Sequence, residues 1–152
     1  MNKKFITTPI YYVNDSPHIG HAYTSVVCDV YARFFMLKNL EVIFLTGTDE
    51  HGQKVENAAK ENGIEPINFV NSVSQNFIEL THHLNISNTD FIRTTEERHK
   101  KTVEIIWQKL LDNDEIYLDN YEGWYSIKDE SFYQEKELKK KKANFLQKMV
   151  PK

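Results

Sequence analysis

The chain has 152 residues, 40% hydrophobic, 27% charged and 12% aromatic, which is the size and mix of one ordinary domain with enough material for a core. A formal net charge of −3 argues against a global basic field for nucleic acid, and the single cysteine, Cys28, excludes both an internal disulfide framework and a zinc knuckle of paired cysteines. The opening MNKKFITTPIYY lacks the apolar core of a signal peptide and no segment reaches the length of a membrane span, so a reduced, cytoplasmic protein without membrane contact is expected.

KKFITTPIYY reads as a short buried strand, rich in β-branched and aromatic residues and broken by Pro9. Asn14, Asp15 and Ser16 form a turn, and Pro17 suits the first position of a helix. Ile19, Ala22, Tyr23, Val26, Val27, Val30, Phe34 and Leu37 recur at helical spacing and predict a helix from His18 to Leu37. EVIFLTGT (41–48) is a nearly continuous apolar run of the kind a parallel sheet buries. A second helix is expected from about Gln53 to Glu61, stopped by Asn62-Gly63. A third starts at Pro66, with Phe69, Val70, Val73, Phe77 and Leu80 on its apolar face. DFIRTT (90–95) is a further short strand, and Thr94 with Glu97 fits a capping box for a helix reaching about Leu111.

Alternating strands and helices imply βαβ units, a parallel sheet and an α/β fold. Right-handed crossovers gather the strand-to-helix turns at the carboxyl edge of the sheet, where open α/β sheets bind ligands. NDSPHIGH and TGTDEHG are two such turns, so His18, Gly20, His21, Asp49, His51 and Gly52 are expected in one neighbourhood. Near residue 114 the character changes to an aromatic stretch of short strands and turns, EIYLDNYEGWYSIKDESFY. From Gln134 the chain is lysine-dense without packed periodicity, and a poorly ordered end is expected.

The two histidines of HIGH flank a glycine at a helix N-terminus, where backbone N–H groups and the helix dipole favour an anion. Imidazoles add donors, and Gly20 lets a flat or bulky ligand approach the backbone. The set suits a nucleoside triphosphate better than a metal, which wants a carboxylate on the same face. A lone histidine at either place is more often a cap or a surface residue. The tetrapeptide occurs by chance on the order of once in several thousand chains of this length. Asp49 can hold an ammonium group by a charge-assisted hydrogen bond, although alone it reads as a helix N-cap. Tyr11 and Tyr12 wall a pocket or fill the core, and the core is the commoner fate. Lys139 to Lys142 can meet a nucleic-acid backbone, but a solvated lysine run is the commoner explanation. His82, His83 and His99 read as surface residues.

Together, TTPIYYVNDSPHIGH, LTGTDEHGQK, FIRTTEERHKK and YEGWYSIKDESFY resemble bacterial methionyl-tRNA synthetase, a class I aminoacyl-tRNA synthetase, from about Lys4 to Leu138. The resemblance implies the N-terminal half of a Rossmann-like catalytic domain over 1–114, the start of a connective-peptide insertion over 115–138, and a lysine-rich tail over 139–152. It implies an ATP-dependent ligase that joins methionine to ATP as methionyl-adenylate and then esterifies tRNA. Carried over, His18 and His21 bind the ATP phosphates and stabilise developing charge, and Gly20 lets the adenine pack on the backbone. Asp49 holds the methionine ammonium, Tyr12 lies along its side chain and Ile10 contacts its main chain. ATP with Mg2+ is the substrate complex, and no zinc is expected.

The family's K-M-S-K-S loop is not found, and KMVPK near the end matches it for only two letters. After Leu138 the chain departs from the family, for which a frameshift or premature stop is the expected explanation. The first strand would then form an exposed apolar edge, predicting marginal stability, aggregation or association with a complementing C-terminal fragment. The chain alone is expected to be inactive and its binding of tRNA is doubtful. The alternatives are a small HxGH-type nucleotidyltransferase and a non-catalytic module that binds methionine or nucleotide.

Overall fold

The computed structural model describes residues 3–126, 129–134, 136 and 146–149. The chain forms two compact units, one ending at Val103 and the other starting at Glu104.

The first unit begins with β1 (Lys3–Thr7) and β2 (Tyr11–Tyr12), then α1 (Ile19–Leu37) and β3 (Glu41–Asp49). After them come α2 (Gln53–Glu61), α3 (Pro66–His83), β4 (Asp90–Arg93) and α4 (Glu97–Asp112), the last continuing past the boundary. All pairings are parallel. β3 is central: Lys3 to Thr7 of β1 run beside Glu41 to Leu45, Tyr11 and Tyr12 of β2 beside Thr48 and Asp49, and β4 lies on the other flank with Asp90 beside Leu45. β1 and β2 are thus successive pieces of one edge, interrupted at Pro9, whose missing N–H cannot serve a ladder. The α/β architecture with a parallel sheet and flanking helices is as expected.

Two apolar clusters hold the unit. Tyr11, Val13, Val55, Ala59, Phe69, Val70, Val73 and Phe77 join β2 to α2 and α3. Ala32, Val42 and Phe44, with Ile6, Cys28, Phe35 and Ile86 against them, join α1 to the sheet. The apolar run read for β3 and the apolar face read for α3 pack into these clusters, joined by Val55 and Ala59 of α2. Gly63 ends the α2 region with φ +67°, a left-handed conformation that glycine takes without strain.

Four local expectations are corrected. β1 is not buried: among the described residues it pairs with β3 alone, and Phe5 is 66% exposed. Pro17 lies one residue outside the helix cap, because His18 is the N-cap of α1. The apolar stripe of α1 faces outward, with Tyr23 70% and Val30 60% exposed, while Ser25, Asp29 and Ala32 are buried. Asp29 explains this burial: its carboxylate accepts from Ser87 N at 2.6 Å and from Arg33 Nε at 2.6 Å, tying α1 to the segment before β4. Finally, Thr94 does not cap α4. The first turn of α4 hangs on the Glu96 carbonyl, and the Thr94 hydroxyl accepts from Glu50 N at 2.9 Å.

In the second unit β5 (Gly123–Ser126) pairs antiparallel with β6 (Ser131–Tyr133) and with β7 (Leu146–Met149). Asp129 accepts from Ser126 Oγ at 3.0 Å and Tyr133 OH at 2.8 Å, and Phe132 packs on the rings of Tyr121 and Tyr125. β7 falls within the tail expected to be poorly ordered; Lys139 to Lys142 lie outside the described residues. Among the described residues no helix is long and apolar enough to cross a membrane.

Candidate active site

The first turn follows β2 and is built almost entirely from local contacts. His18 adopts an extended conformation, φ −123° and ψ 177°, and caps α1. Its Nδ1 accepts from Gly20 N at 3.0 Å, while His21 Nδ1 accepts from His18 N at 3.0 Å. This is a capping box in which imidazoles replace the usual hydroxyl and carboxylate. The two rings stack with centroids 3.8 Å apart. A ring nitrogen that accepts carries no proton, so both neutral imidazoles hold theirs on Nε2. Neither Nε2 has a hydrogen-bond partner among the described residues.

The cap also gives Gly20 a definite reason. A Cβ there would stand 2.9 Å from His18 Cε1, so any side chain displaces the folded-back ring. From the sequence, the first-turn N–H groups are expected to be open to an anion. In fact Gly20 N–H goes to His18 Nδ1 and His21 N–H to the His18 carbonyl at 3.0 Å. The donors that remain for an anion here are the Ile19 N–H, which has no partner among the described residues, and the two Nε2–H groups, and the helix dipole favours an anion at the same place.

Two core aromatics from elsewhere in the unit seat His21. Tyr11 lies 4.9 Å from its ring and Phe77 of α3 lies 5.1 Å away, each edge to face. Tyr11 OH donates to the His21 carbonyl at 3.3 Å and lies 2.8 Å from Ser25 Oγ. Burial lowers the pKa of His21 and the nearby His18 lowers it further, so the ring is neutral at pH 7. The sequence places Phe77 on an apolar helix face and Tyr11 in a pocket wall or the core; nothing in their spacing marks them as supports of an imidazole.

The second turn leaves β3 and is built from distant parts of the chain. Gly47 allows β4 to approach: a Cβ there would stand 2.0 Å from the Ile92 carbonyl oxygen. The adjacent acids Asp49 and Glu50 have opposite fates. Glu50 is 3% exposed. Its carboxylate accepts from Arg93 Nε at 2.7 Å and Nη2 at 2.9 Å, from Thr48 Oγ1 at 2.7 Å, and from the hydroxyls of Ser74 and Thr95. Burial alone would push its pKa up, but the bonds from Arg93, Ser74, Thr95 and Thr48 together outweigh it and hold the carboxyl below its usual range. Asp49 is half-buried and its carboxylate has no hydrogen bond or ion pair among the described residues. Neither Asp49 nor Thr48 caps α2; that position falls to Gly52, with φ 111°. His51 donates from Nε2 to the Thr94 carbonyl at 3.3 Å.

β2 joins the two turns. Tyr11 touches the His21 ring and pairs with Thr48, while Tyr12 pairs with Asp49. Tyr12 is half-buried, with Lys54 Nζ 5.6 Å from its ring centre. Ile10 is exposed, just before β2. Of the six expected residues, His21 touches Tyr11 of β2 and Asp49 pairs with Tyr12 of β2, while His18 and Gly20 are tied to His21 through the cap. His51 turns instead to the Thr94 carbonyl, and Gly52 caps α2.

A family model described as tRNA synthetases class I (M) matches residues 4–145. The chain belongs to this class I tRNA synthetase family. It is 65% identical over 137 residues to the methionine–tRNA ligase of Rickettsia bellii, covering 90% of this chain and 27% of that protein. The Bacillus subtilis methionine–tRNA ligase is 55% identical, with 21% of its length covered. A solved structure of Mycobacterium tuberculosis methionyl-tRNA synthetase in complex with methionyl-adenylate superposes with a TM-score of 0.86 at 44% identity, over 90% of this chain and 27% of that one. The chain thus spans roughly a quarter of the length of these synthetases, and it carries their N-terminal Rossmann-like fold. The family sets aside the reading of the HIGH turn as that of a small nucleotidyltransferase.

Proposed function

We propose that this chain carries the N-terminal half of a methionine–tRNA ligase active site, with residues 1–114 forming half of the catalytic domain and 115–138 the start of the connective insertion. The unpaired carboxylate of Asp49, one strand away from the Nε2–H donors of His18 and His21, is the observation that carries the reading. An aminoacyl adenylate joins an ammonium to a phosphate, and this frame offers one group for each. The solved relative in complex with methionyl-adenylate supports it.

In this reading Asp49 takes the methionine ammonium in a charge-assisted bond. Tyr12 lies along the side chain and Ile10 meets the main chain. His18 and His21 donate to the phosphates of ATP, which arrives with Mg2+. The methionine carboxylate attacks the α-phosphorus in line, an acyl–phosphate bond forms, and pyrophosphate leaves. No side-chain nucleophile is required; alignment and charge stabilisation supply the rate. Gly20 keeps the histidine cap closed and leaves the backbone open to the adenine. The activated methionine then passes to the terminal adenosine of tRNA, a step that rests on parts of the longer relatives.

The chain alone is expected to be inactive and to need a complementing C-terminal fragment. Methionine-dependent ATP–pyrophosphate exchange tests this, with the chain alone and after mixing with the remaining segment of the R. bellii ligase. Exchange only in the mixture, falling about 10²–10³-fold in His21→Ala, is the expected result. Exchange that ignores methionine, or survives Asp49→Asn unchanged, overturns the reading.

A further inference from the structure

Glu50 is a buried acid that the proposed chemistry leaves unused. Its carboxylate receives five donors: Thr48 from β3, Ser74 from α3, two nitrogens of Arg93 from β4, and Thr95 beyond β4. Its own N–H donates to Thr94 Oγ1 at 2.9 Å. An ionised carboxylate has about four acceptor sites, so Glu50 is saturated and has nothing to offer a substrate. Arg93, which also reaches Asn71 Oδ1 at 2.7 Å, cancels its charge.

We propose that Glu50 is the positioning residue of the amino-acid site: it clamps the β3–α2 turn to α3 and β4, so that the adjacent Asp49 carboxylate is held fixed and unpaired for the substrate ammonium. This rests on the reading of Asp49 given above. Two consequences follow from the chemistry. With Glu50 neutralised, Asp49 is the uncompensated acid of its turn, and an ammonium ion is drawn to it. If the Glu50 charge is removed, Arg93 is left without its counter-ion beside that site. The guanidinium then repels an ammonium or pairs with Asp49 itself.

The test compares Glu50→Gln, Asp49→Asn and the parent chain by amide hydrogen exchange of residues 48–52 without ligand. It also measures binding of L-methionine, of 4-(methylthio)butanoate, which lacks the amino group, and of ATP. Glu50→Gln is expected to speed exchange at least tenfold and to weaken methionine at least tenfold. Affinities for the des-amino analogue and for ATP should stay within twofold. Replacing Arg93 as well, in Glu50→Gln/Arg93→Met, should recover part of the methionine affinity, which a merely structural defect would not allow. Asp49→Asn should lose methionine binding with exchange unchanged. Should Glu50→Gln fail to fold, Ser74→Ala and Thr95→Val each remove one donor and are expected to speed exchange about threefold. Parent-like exchange in the variants overturns the proposal. A parent chain that binds no methionine sinks the ligand reading of Asp49 for this chain, and the exchange data then decide the role of Glu50 by themselves.

Discussion

The two strand-to-helix turns sit at the same edge of one sheet and are held by opposite means. The turn before α1 is closed within four residues, His18 and His21 each accepting a backbone N–H of the other's neighbourhood. The turn after β3 is closed by partners 24 to 45 residues away, all converging on Glu50. A local cap costs little to break and leaves the rest of the fold in place. A buried carboxylate with five donors is a junction of four segments, and breaking it strands the half-buried guanidinium of Arg93. Stability is therefore concentrated at the second turn, and polar side-chain groups without a partner among the described residues lie at the first turn and at Asp49.

The contrast can be broken most sharply at Glu50. Glu50→Ala should cost about 3–5 kcal/mol in thermal or urea unfolding, the usual cost of removing one partner of a buried ion pair. A loss below about 1 kcal/mol would place the clamp elsewhere. Gly20→Ala should cost about 1–2 kcal/mol, since the added Cβ expels the His18 ring and the cap is lost. His18→Ala, which removes the same cap without a clash, should cost no more than Gly20→Ala.

Acid distinguishes the turns in a graded way. His21 has a folded pKa below 6.5, so the unfolded chain takes up a proton first and stability declines as the pH falls from about 6.5 towards the folded value. The proton must enter at Nδ1, the atom that accepts from His18 N–H, so it opens the cap. The expected loss is below about 1 kcal/mol, and His21→Ala should flatten the slope between pH 6.5 and 5. Glu50 behaves in the other window. Its depressed pKa contributes stability that is fully present above the ordinary glutamate value of 4.5 and is lost as the pH falls through the lower folded value. The smallest effect is expected at Asp49. Asp49→Asn should change stability by less than about 0.5 kcal/mol, because the carboxylate has no protein partner to lose. A large destabilisation there would mean that Asp49 is structural.

The α1 helix shows where sequence patterning misleads. Its apolar repeat is real, but Val30 and Tyr23 face outward and Asp29 and Ser25 face inward. Periodicity reports that a helix has an apolar stripe, not which neighbour covers it. The buried side is polar because Asp29 has Ser87 and Arg33 as partners, and Ser25 has Tyr11. The same limit applies to Thr94, where a local capping pattern gives way to a long-range bond from Glu50 N.

The sequence by itself determined the alternation of strands and helices from α1 to α4, the stop at Asn62-Gly63, the helix start at Pro66, and the place of HIGH and TDEH at strand-to-helix turns. Each of these depends on residues a few positions apart, where propensity, caps and turn chemistry act directly. Only the tertiary structure decided that α1 turns its polar side inward, that Gly20 is empty because a histidine ring lies over it, and that of two adjacent acids one is spent inside the fold while the other stays open. Those outcomes depend on which distant donors arrive at a site once the sheet has formed. A buried carboxylate takes whichever conformation satisfies it, and its partners are set by topology rather than by neighbouring letters.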